Sequence, residues 1–280
     1  MLKQRVITAV CLLPVLVAAV WFDQPLPWLT ILVAIWGALA ALEFYRAVKA
    51  TQAAPLTGFG LVWTLLFIIS PHYSWSYINP LLLTSAVVLP PIWLLARRRK
   101  EGAFLGWAWT VAGILYIGWL LSHFVALRGI DEPTPDAGRN WVFFALFTTF
   151  ASDSAAYFIG RALGRHRLAP SISPKKSWEG AIGGVIGAIV IGLLFTAPKL
   201  FTLNNLLYIQ EFACWQSIPL AIAVSIFGQI GDLFESLFKR NTGIKDSGNT
   251  IPGHGGFLDR MDSVIFAGVV VYYYVILFTW

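Results

Sequence analysis

The sequence predicts an all-α polytopic integral membrane protein with about nine transmembrane helices. Hydrophobic residues make up 58% of the chain and charged residues only 12%, whereas a soluble domain carries about 25% charged residues. Apolar segments recur along the whole chain, most of them near the roughly 20 residues that a helix needs to cross a bilayer. We expect spans near residues 6–22, 28–44, 57–70, 79–96, 103–127, 140–160, 178–198, 217–238 and 263–279.

Lysine and arginine orient these spans, because cytoplasmic loops of membrane proteins carry an excess of both residues. The first segment imitates a signal peptide, but apolar segments continue after it, so we interpret it as an uncleaved span. With a cytoplasmic N-terminus, 17 of the 20 basic residues lie on cytoplasmic segments, and the other three are Arg128, Arg139 and Lys199. We therefore expect a cytoplasmic N-terminus and two long cytoplasmic segments, 161–177 (the central loop) and 239–262 (the C-terminal loop).

The net charge of +6 could by itself suggest a nucleic-acid partner. However, the positive residues fall in short loops between apolar runs, which is typical of a polytopic membrane protein. We therefore expect no nucleic-acid partner.

The C-terminal loop concentrates polar residues between two strongly apolar segments. It contains three aspartates, one histidine, five glycines and the four basic residues Lys239, Arg240, Lys245 and Arg260. Glycine backbone N–H groups can approach phosphate oxygens, and the basic side chains supply charge for a polyanion. A loop that only sets the membrane topology would explain the basic residues, but not the aspartates, the His-Gly-Gly triplet and the glycines together.

Asp232 lies inside the apolar run that leads into this loop, where a carboxylate is costly unless it is paired or bound to a cation. Its spacing to Glu235, Ser236 and Lys239 predicts that these residues share one helical face. The alternative is a structural ion pair between Asp232 or Glu235 and a basic residue.

Carboxylates at the two borders of the loop predict a metal site. Asp259 and Asp262 stand one turn apart where the last span begins, and together with Asp246 and Asp232 they offer the oxygen ligands that Mg²⁺ prefers. Zinc is not expected, because Cys11 and Cys214 are far from this loop and only His254 lies within it.

The central loop repeats the same combination of residues. Asp153 lies late in the sixth span with Tyr157 one turn later, although a helix end with snorkelling arginines would also explain this stretch. Pro174 then interrupts the chain, and Lys175 and Lys176 precede Ser177 and Glu179. Because Ser177 can cap the following helix, its N-terminus predicts an anion site, without the spacing of a P-loop.

Three ordered motifs resemble those of the phosphatidate cytidylyltransferase family, also called CDP-diacylglycerol synthases. The motifs are DSAAYFIGR at 153–161, SPKKSWEG at 173–180 and SLFKRNTGIKDSGNTIPGHGGFLDRMD at 236–262. Residues 1–140 resemble the family only in hydropathy. We therefore divide the chain into N-terminal transmembrane helices, 1–140, and a catalytic transmembrane region, 141–280.

The resemblance implies that CTP and phosphatidic acid react to give CDP-diacylglycerol and pyrophosphate, with Mg²⁺ as cofactor. It also implies a multi-pass protein of the cell inner membrane whose active site faces the cytoplasm; a homodimer stays open. The expected metal ligands are Asp232 and Asp259, then Asp246 and Asp153, and then Asp262. The other expected catalytic residues are Lys239 and His254. The expected substrate-binding residues are Asp153, Tyr157, Lys175, Lys176, Ser177, Glu179, Ser236, Arg240, Lys245 and Arg260.

Three alternatives come from other functions. A secondary transporter would also bury carboxylates, but it would show paired halves and would not concentrate polar residues on one side of the membrane. A polybasic scaffold for anionic lipid explains the charge but not the aspartates. A kinase that uses CTP on another lipid alcohol is the alternative within enzymes, because composition does not identify the acceptor.

Overall fold

The computed structural model describes residues 2–23, 25–51, 53–73, 75–96, 102–130, 136–197, 207, 209, 212–248, 250–251 and 255–278, with the backbone alone at 2–9 and 75–76. The helices are α1 (Leu2–Trp21), α2 (Trp28–Lys49), α3 (Thr57–Ile69), α4 (Trp75–Leu95), α5 (Ala103–Gly113), α6 (Leu120–Arg128), α7 (Ala137–Leu163), α8 (Trp178–Thr196), α9 (Cys214–Asn241) and α10 (Asp262–Phe278). A π-helical segment, Ile114–Trp119, joins α5 to α6, and 3₁₀ helices cover Ser70–His72 and Leu258–Arg260.

Among the described residues, a helix occupies each of the nine predicted apolar segments, and these residues are about 79% helical. Six helices of the described ranges are long and apolar enough to cross a membrane by length and composition: Trp28–Lys49, Tyr77–Leu95, Ala103–Arg128, Ala137–Leu163, Trp178–Thr196 and Cys214–Asn241. The apolar helices Val10–Trp21, Thr57–His72 and Asp262–Phe278 are shorter. The all-α membrane class is confirmed, whereas the number of nine spans stays a prediction.

The central loop adds a small antiparallel hairpin that the sequence did not suggest. Strand β1 (Arg167–Ala169) pairs with β2 (Ser173–Ser177), with Arg167 opposite Ser177. The stretch lacks alternating apolar residues, and Pro174 argues against a central strand, although it is compatible with an edge strand. Lys175 and Lys176 lie on β2, which runs directly into α8. Because successive side chains of a strand alternate, the two lysines point to opposite faces.

The chain divides into two compact units. The first comprises Met1–Ala126 and Phe238–Met261, and the second comprises Leu127–Leu237 and Asp262–Trp280. The C-terminal loop therefore belongs with the N-terminal helices, so the units divide the chain differently from the motif-based boundary at residue 140.

The first unit packs around Tyr45 of α2. This side chain is fully buried, and its hydroxyl donates to the carbonyl oxygen of Thr110 at 2.9 Å. Gly60 of α3 and Gly113 of α5 lie directly against the phenol ring, where a Cβ atom would overlap it. Small residues thus let two helices approach one aromatic side chain of a third.

The second unit is built on the close packing of α7 against α8. A Cβ atom at Gly180 would lie 2.8 Å from the carbonyl oxygen of Ala156, and one at Gly187 would lie 2.9 Å from that of Ala151. The buried hydroxyls of Ser152 and Ser225, 2.7 Å apart, join α7 to α9. Glycine at the helix contact therefore sets the short α7–α8 separation.

Candidate active site

A left-handed glycine turns the chain from α9 into the C-terminal loop. Gly243 has a φ of 71°, and the N–H of Ile244 donates to the carbonyl oxygen of Lys239 at 3.0 Å. This combination is the Schellman motif, which glycine favours because it has no Cβ atom. It holds Lys239 in the last turns of the helix, at the start of the loop.

Asp259 ties the two ends of the loop together. Its Oδ1 atom accepts a hydrogen bond from Nζ of Lys239 at 2.7 Å. Its Oδ2 atom accepts from the N–H and the hydroxyl of Ser247, both at 2.8 Å, and from the N–H of Gly256 at 2.9 Å. Only 7% of the side chain is exposed. Asp259 is therefore a structural acceptor for the loop as well as a predicted metal ligand.

A second carboxylate, Glu43 of α2, contacts the same loop. It was not among the residues predicted from the sequence. Its Oε1 atom accepts from the hydroxyl of Thr250 at 2.7 Å. Its Oε2 atom accepts from the N–H of Leu258 at 3.0 Å and from the hydroxyl of Ser247 at 3.2 Å. Glu43 is 3% exposed. The signal that could have found it is a carboxylate within an apolar run, which is the signal that selected Asp232.

The described glycines of the C-terminal loop pack against protein groups or donate hydrogen bonds to them. Gly248 and Gly256 lie against the Glu43 carboxylate, where a Cβ atom would overlap it. The N–H of Gly256 donates to Asp259, and that of Gly243 donates to the carbonyl of Arg240 at 3.3 Å. The expectation that glycine N–H groups are open to phosphate is wrong for Gly243 and Gly256, because both groups already have protein acceptors.

In the second unit, Asp232 pairs with a lysine of the central loop. Nζ of Lys176 lies 2.7 Å from Oδ2 of Asp232, and the two side chains are 22% and 36% exposed. The hydroxyl of Ser236 lies 3.5 Å from Oδ1 of Asp232, as the helical spacing predicted. Glu235, by contrast, is completely buried. The ion pair considered as an alternative for Asp232 is confirmed, and its partner comes from the predicted anion site.

Ser263 connects two further predicted carboxylates. Its hydroxyl lies 3.4 Å from Oδ1 of Asp153, and its N–H donates to Oδ1 of Asp262 at 2.8 Å. Gly231 lies against the carbonyl of Asp262, where a Cβ atom would overlap it. Asp153, which the sequence places late in the sixth span, is exposed within the unit. Helices α7, α9 and α10 thus bring together Asp153, Asp262 and Gly231, the residue before Asp232.

Ser177 and Glu179 hold the central loop on the start of α8. The Ser177 hydroxyl accepts from the N–H of Gly180 at 3.2 Å, which confirms the predicted helix cap. The Glu179 carboxylate accepts from the N–H groups of Arg165 and His166 at 3.1 and 3.2 Å. These two residues therefore position the strand that carries Lys176.

The remaining predicted binding residues lie at the surface of their units. Tyr157 is exposed, and its hydroxyl accepts from Arg161 at 3.2 Å. The exposed charged residues are Lys175, Arg240, Lys245, Asp246 and Arg260. They are accessible to a soluble polyanion. His254 lies outside the described residues.

The carboxylates have the oxygen donors that Mg²⁺ prefers. Asp232 fits a metal better than Asp259, because more than a third of its side chain is exposed, but a metal at its Oδ2 atom would have to displace Lys176. At Asp259 both oxygens already accept hydrogen bonds, so a metal there would have to displace a donor such as Lys239. Within the described residues no three His, Cys, Asp or Glu side chains form a group that could hold a metal. Mg²⁺ commonly takes one or two protein carboxylates and completes its coordination with water and substrate phosphate.

Comparison with known proteins identifies the family of the chain. Residues 3–278 match a family described as the cytidylyltransferase family. The chain belongs to this family. A phosphatidate cytidylyltransferase of Bacillus subtilis (strain 168) is 33% identical over 285 residues, which cover 99% of each chain.

Two other family members are similar over shorter lengths. A phosphatidate cytidylyltransferase of Staphylococcus haemolyticus is 32% identical over 231 residues, or 82% of this chain and 83% of the relative. One of Brucella suis is 42% identical over 167 residues, or 60% of this chain and 57% of the relative. The family match also covers the N-terminal helices, for which the resemblance had rested on hydropathy, so Glu43 lies within the matched region.

Proposed function

We propose that this chain is a phosphatidate cytidylyltransferase, which converts CTP and phosphatidic acid into CDP-diacylglycerol and pyrophosphate. The family supports the cytidylyl donor, and its relatives, which are phosphatidate cytidylyltransferases, support the acceptor. The observation that carries the proposal is that each leading carboxylate pairs with a motif lysine, Asp232 with Lys176 and Asp259 with Lys239. A transferase that joins two anions needs such cations within its polar loops.

The reaction asks little of a general base. An oxygen of the lipid phosphate attacks the α-phosphorus of CTP, and the bond from that phosphorus to the bridging oxygen breaks, so that pyrophosphate leaves. A phosphomonoester is already largely ionised at neutral pH. The protein must bring two anions together, orient them in line and neutralise their charge, as in phosphoryl transfer generally.

The residues divide the work by their surroundings. Lys176 and Lys239 are partly buried, and we assign them to the reacting phosphates. Their contacts to carboxylates hold the ammonium groups in place until the substrates bind. The exposed cations Lys175, Arg240, Lys245 and Arg260 are assigned to the capture of CTP and of the lipid headgroup. His254 is assigned the role of a hydrogen-bond donor to phosphate.

The proposed cofactor is Mg²⁺. Asp232 and Asp259 are the leading candidate ligands, followed by Asp246 and Asp262. When bound, the metal would neutralise charge on the phosphate oxygens. The partly exposed side chain of Asp232 supports this assignment.

The protein is a multi-pass membrane protein, and we propose the bacterial inner membrane as its location with both polar loops in the cytoplasm. The distribution of basic residues supports this orientation, because 17 of 20 then lie on the cytoplasmic side. CTP is a cytoplasmic substrate, so the orientation and the reaction agree.

The deciding experiment follows the label from CTP into lipid. Purified protein in mixed micelles is given CTP labelled at the α-phosphorus, with phosphatidic acid or diacylglycerol as acceptor. The proposal expects label in the lipid product with phosphatidic acid only. A kinase would instead transfer γ-label to diacylglycerol and leave the α-label in soluble CDP, an outcome that would overturn the proposal.

A further inference from the structure

We propose that Glu43 of α2 is a positioning residue for the reaction: its carboxylate holds the C-terminal loop in the shape that sets Asp259 and Lys239. The proposal rests on the function proposed above. Glu43 acts through the loop and touches no substrate. Its position, about 200 residues before the loop in the chain, is why neither loop motif includes it.

The contacts of Glu43 come from both halves of the C-terminal loop. Thr250 and Ser247 donate their hydroxyls from the first half, and Leu258 donates its N–H from the 3₁₀ helix that contains Asp259. The backbone N–H of Leu258 is buried and adjacent to Asp259 in the chain. Removing its acceptor would leave a buried donor unsatisfied, which costs more than the bond itself contributes.

Ser247 couples the two carboxylates. Its hydroxyl lies 2.8 Å from Oδ2 of Asp259 and 3.2 Å from Oε2 of Glu43. A hydroxyl carries one proton and can rotate between acceptors. A change at Glu43 is therefore transmitted to Asp259 through one shared group.

Two aromatic contacts support the same arrangement. Phe44 stacks on Phe238, at the end of α9, with ring centroids 4.6 Å apart. Trp36 meets Phe257, beside Leu258, edge to face at 6.1 Å. Helix α2 thus contacts Phe238, directly before the loop, and Phe257 in its second half, and Glu43 binds the polar residues between them.

Glycine at positions 248 and 256 fits this role. Each lies so close to the Glu43 carboxylate that a Cβ atom would overlap it. The loop backbone is therefore packed around the carboxylate, and a carboxylate at position 43 is matched to glycines more than 200 residues later in the chain.

The test compares Glu43→Gln with Glu43→Leu. An amide can keep its oxygen toward Leu258 and turn its NH₂ group toward Thr250, whose hydroxyl can rotate to accept. Leucine keeps the size and suits an apolar helix but accepts no hydrogen bond. We expect kcat within about 10-fold of the wild type for Glu43→Gln and about 10²-fold lower for Glu43→Leu, the range of losing hydrogen bonds to a charged group.

Hydrogen exchange supplies a readout that a general loss of stability would not give. In Glu43→Leu, peptides covering 244–248 and 255–260 should exchange faster, while those of α3 and α5 stay protected as in the wild type. Tyr45→Phe is the matched control, because it removes a buried hydrogen bond of the same helix that does not involve the loop. It should leave kcat and loop exchange near the wild-type values.

Wild-type kcat in Glu43→Leu, or exchange that rises equally throughout the first unit, would overturn the proposal. If Glu43→Leu does not fold, Thr250→Val combined with Glu43→Gln decides, since valine offers the amide no acceptor. This pair should lower kcat by more than the product of the single effects, and independent effects would count against the proposal. Loop exchange is measured without substrate, so it stands even if phosphatidic acid is not the acceptor.

Discussion

Nζ of Lys176 lies 2.7 Å from Oδ2 of Asp232, so a lysine on strand β2 neutralises a carboxylate inside helix α9. Lys239 and Asp259 repeat the arrangement at the same 2.7 Å separation within the other unit. In each pair the lysine is a predicted phosphate contact and the aspartate a predicted metal ligand. In each pair the opposite charge lies within 2.7 Å. This lowers the free-energy cost of keeping both groups ionised next to apolar segments.

Substrates that bind these lysines must disrupt the two lysine–aspartate pairs. A phosphate that binds Lys176 or Lys239 competes with the aspartate for the ammonium group, and a cation that binds the aspartate compensates for the loss. Phosphate binding and cation binding therefore favour each other electrostatically.

The first prediction separates two neighbouring lysines. Lys176→Ala should lower kcat/KM for CTP by at least about 10-fold, because it removes a partly buried cation paired with Asp232. Lys175→Ala should raise the KM for CTP by about 3-fold or less, since an exposed charge is screened by solvent. Initial rates of both purified variants test this. Equal losses would mean that the strand does not distinguish the two side chains.

The second prediction concerns the two paired aspartates. Asp232→Asn and Asp259→Asn should each lower kcat by about 10²-fold or more, or about 2.7 kcal/mol, because an amide keeps the shape but loses the charge. Only Asp259→Asn should also lower the unfolding temperature, since its oxygens accept from Ser247 and Gly256. Activity and thermal unfolding in detergent are measured together. An active Asp259→Asn variant would contradict the assignment.

The third prediction is metal dependence. EDTA should abolish activity, and Mg²⁺ or Mn²⁺ should restore it, whereas Ca²⁺ should restore it poorly because it prefers more ligands and looser geometry. Product formation is followed during titration of each ion. Full activity in EDTA would exclude the proposed cofactor role.

The fourth prediction concerns membrane orientation. In a chain whose two native cysteines are replaced by serine, Lys245→Cys should react with an impermeant maleimide only after the cells are opened. Asp136→Cys should react in intact cells. Both positions are exposed in the structure, so access to the reagent depends on the side of the membrane. The reversed pattern would place the C-terminal loop outside.

The sequence by itself determined the helices and the membrane class, and it supplied most of the polar residues proposed for the site. Apolar length and helical period are local properties, so all nine apolar segments were located from short windows. The cap at Ser177 and the approach of Ser236 to Asp232 followed in the same way, because caps and i,i+4 contacts depend on a few neighbouring residues.

The tertiary structure decided which of these residues meet. That Lys176 rather than Lys175 reaches Asp232 depends on strand β2, which forms only because β1 lies beside it. That Glu43 holds the loop depends on the packing of α2 against residues 238–261, a contact between parts of the chain more than 200 residues apart. Hydropathy treats Glu43 as one charge in an apolar run, because its partners are absent from any local window. The physical reason is that a buried carboxylate is stabilised by donors brought to it through folding, and those donors are defined in space and not in sequence.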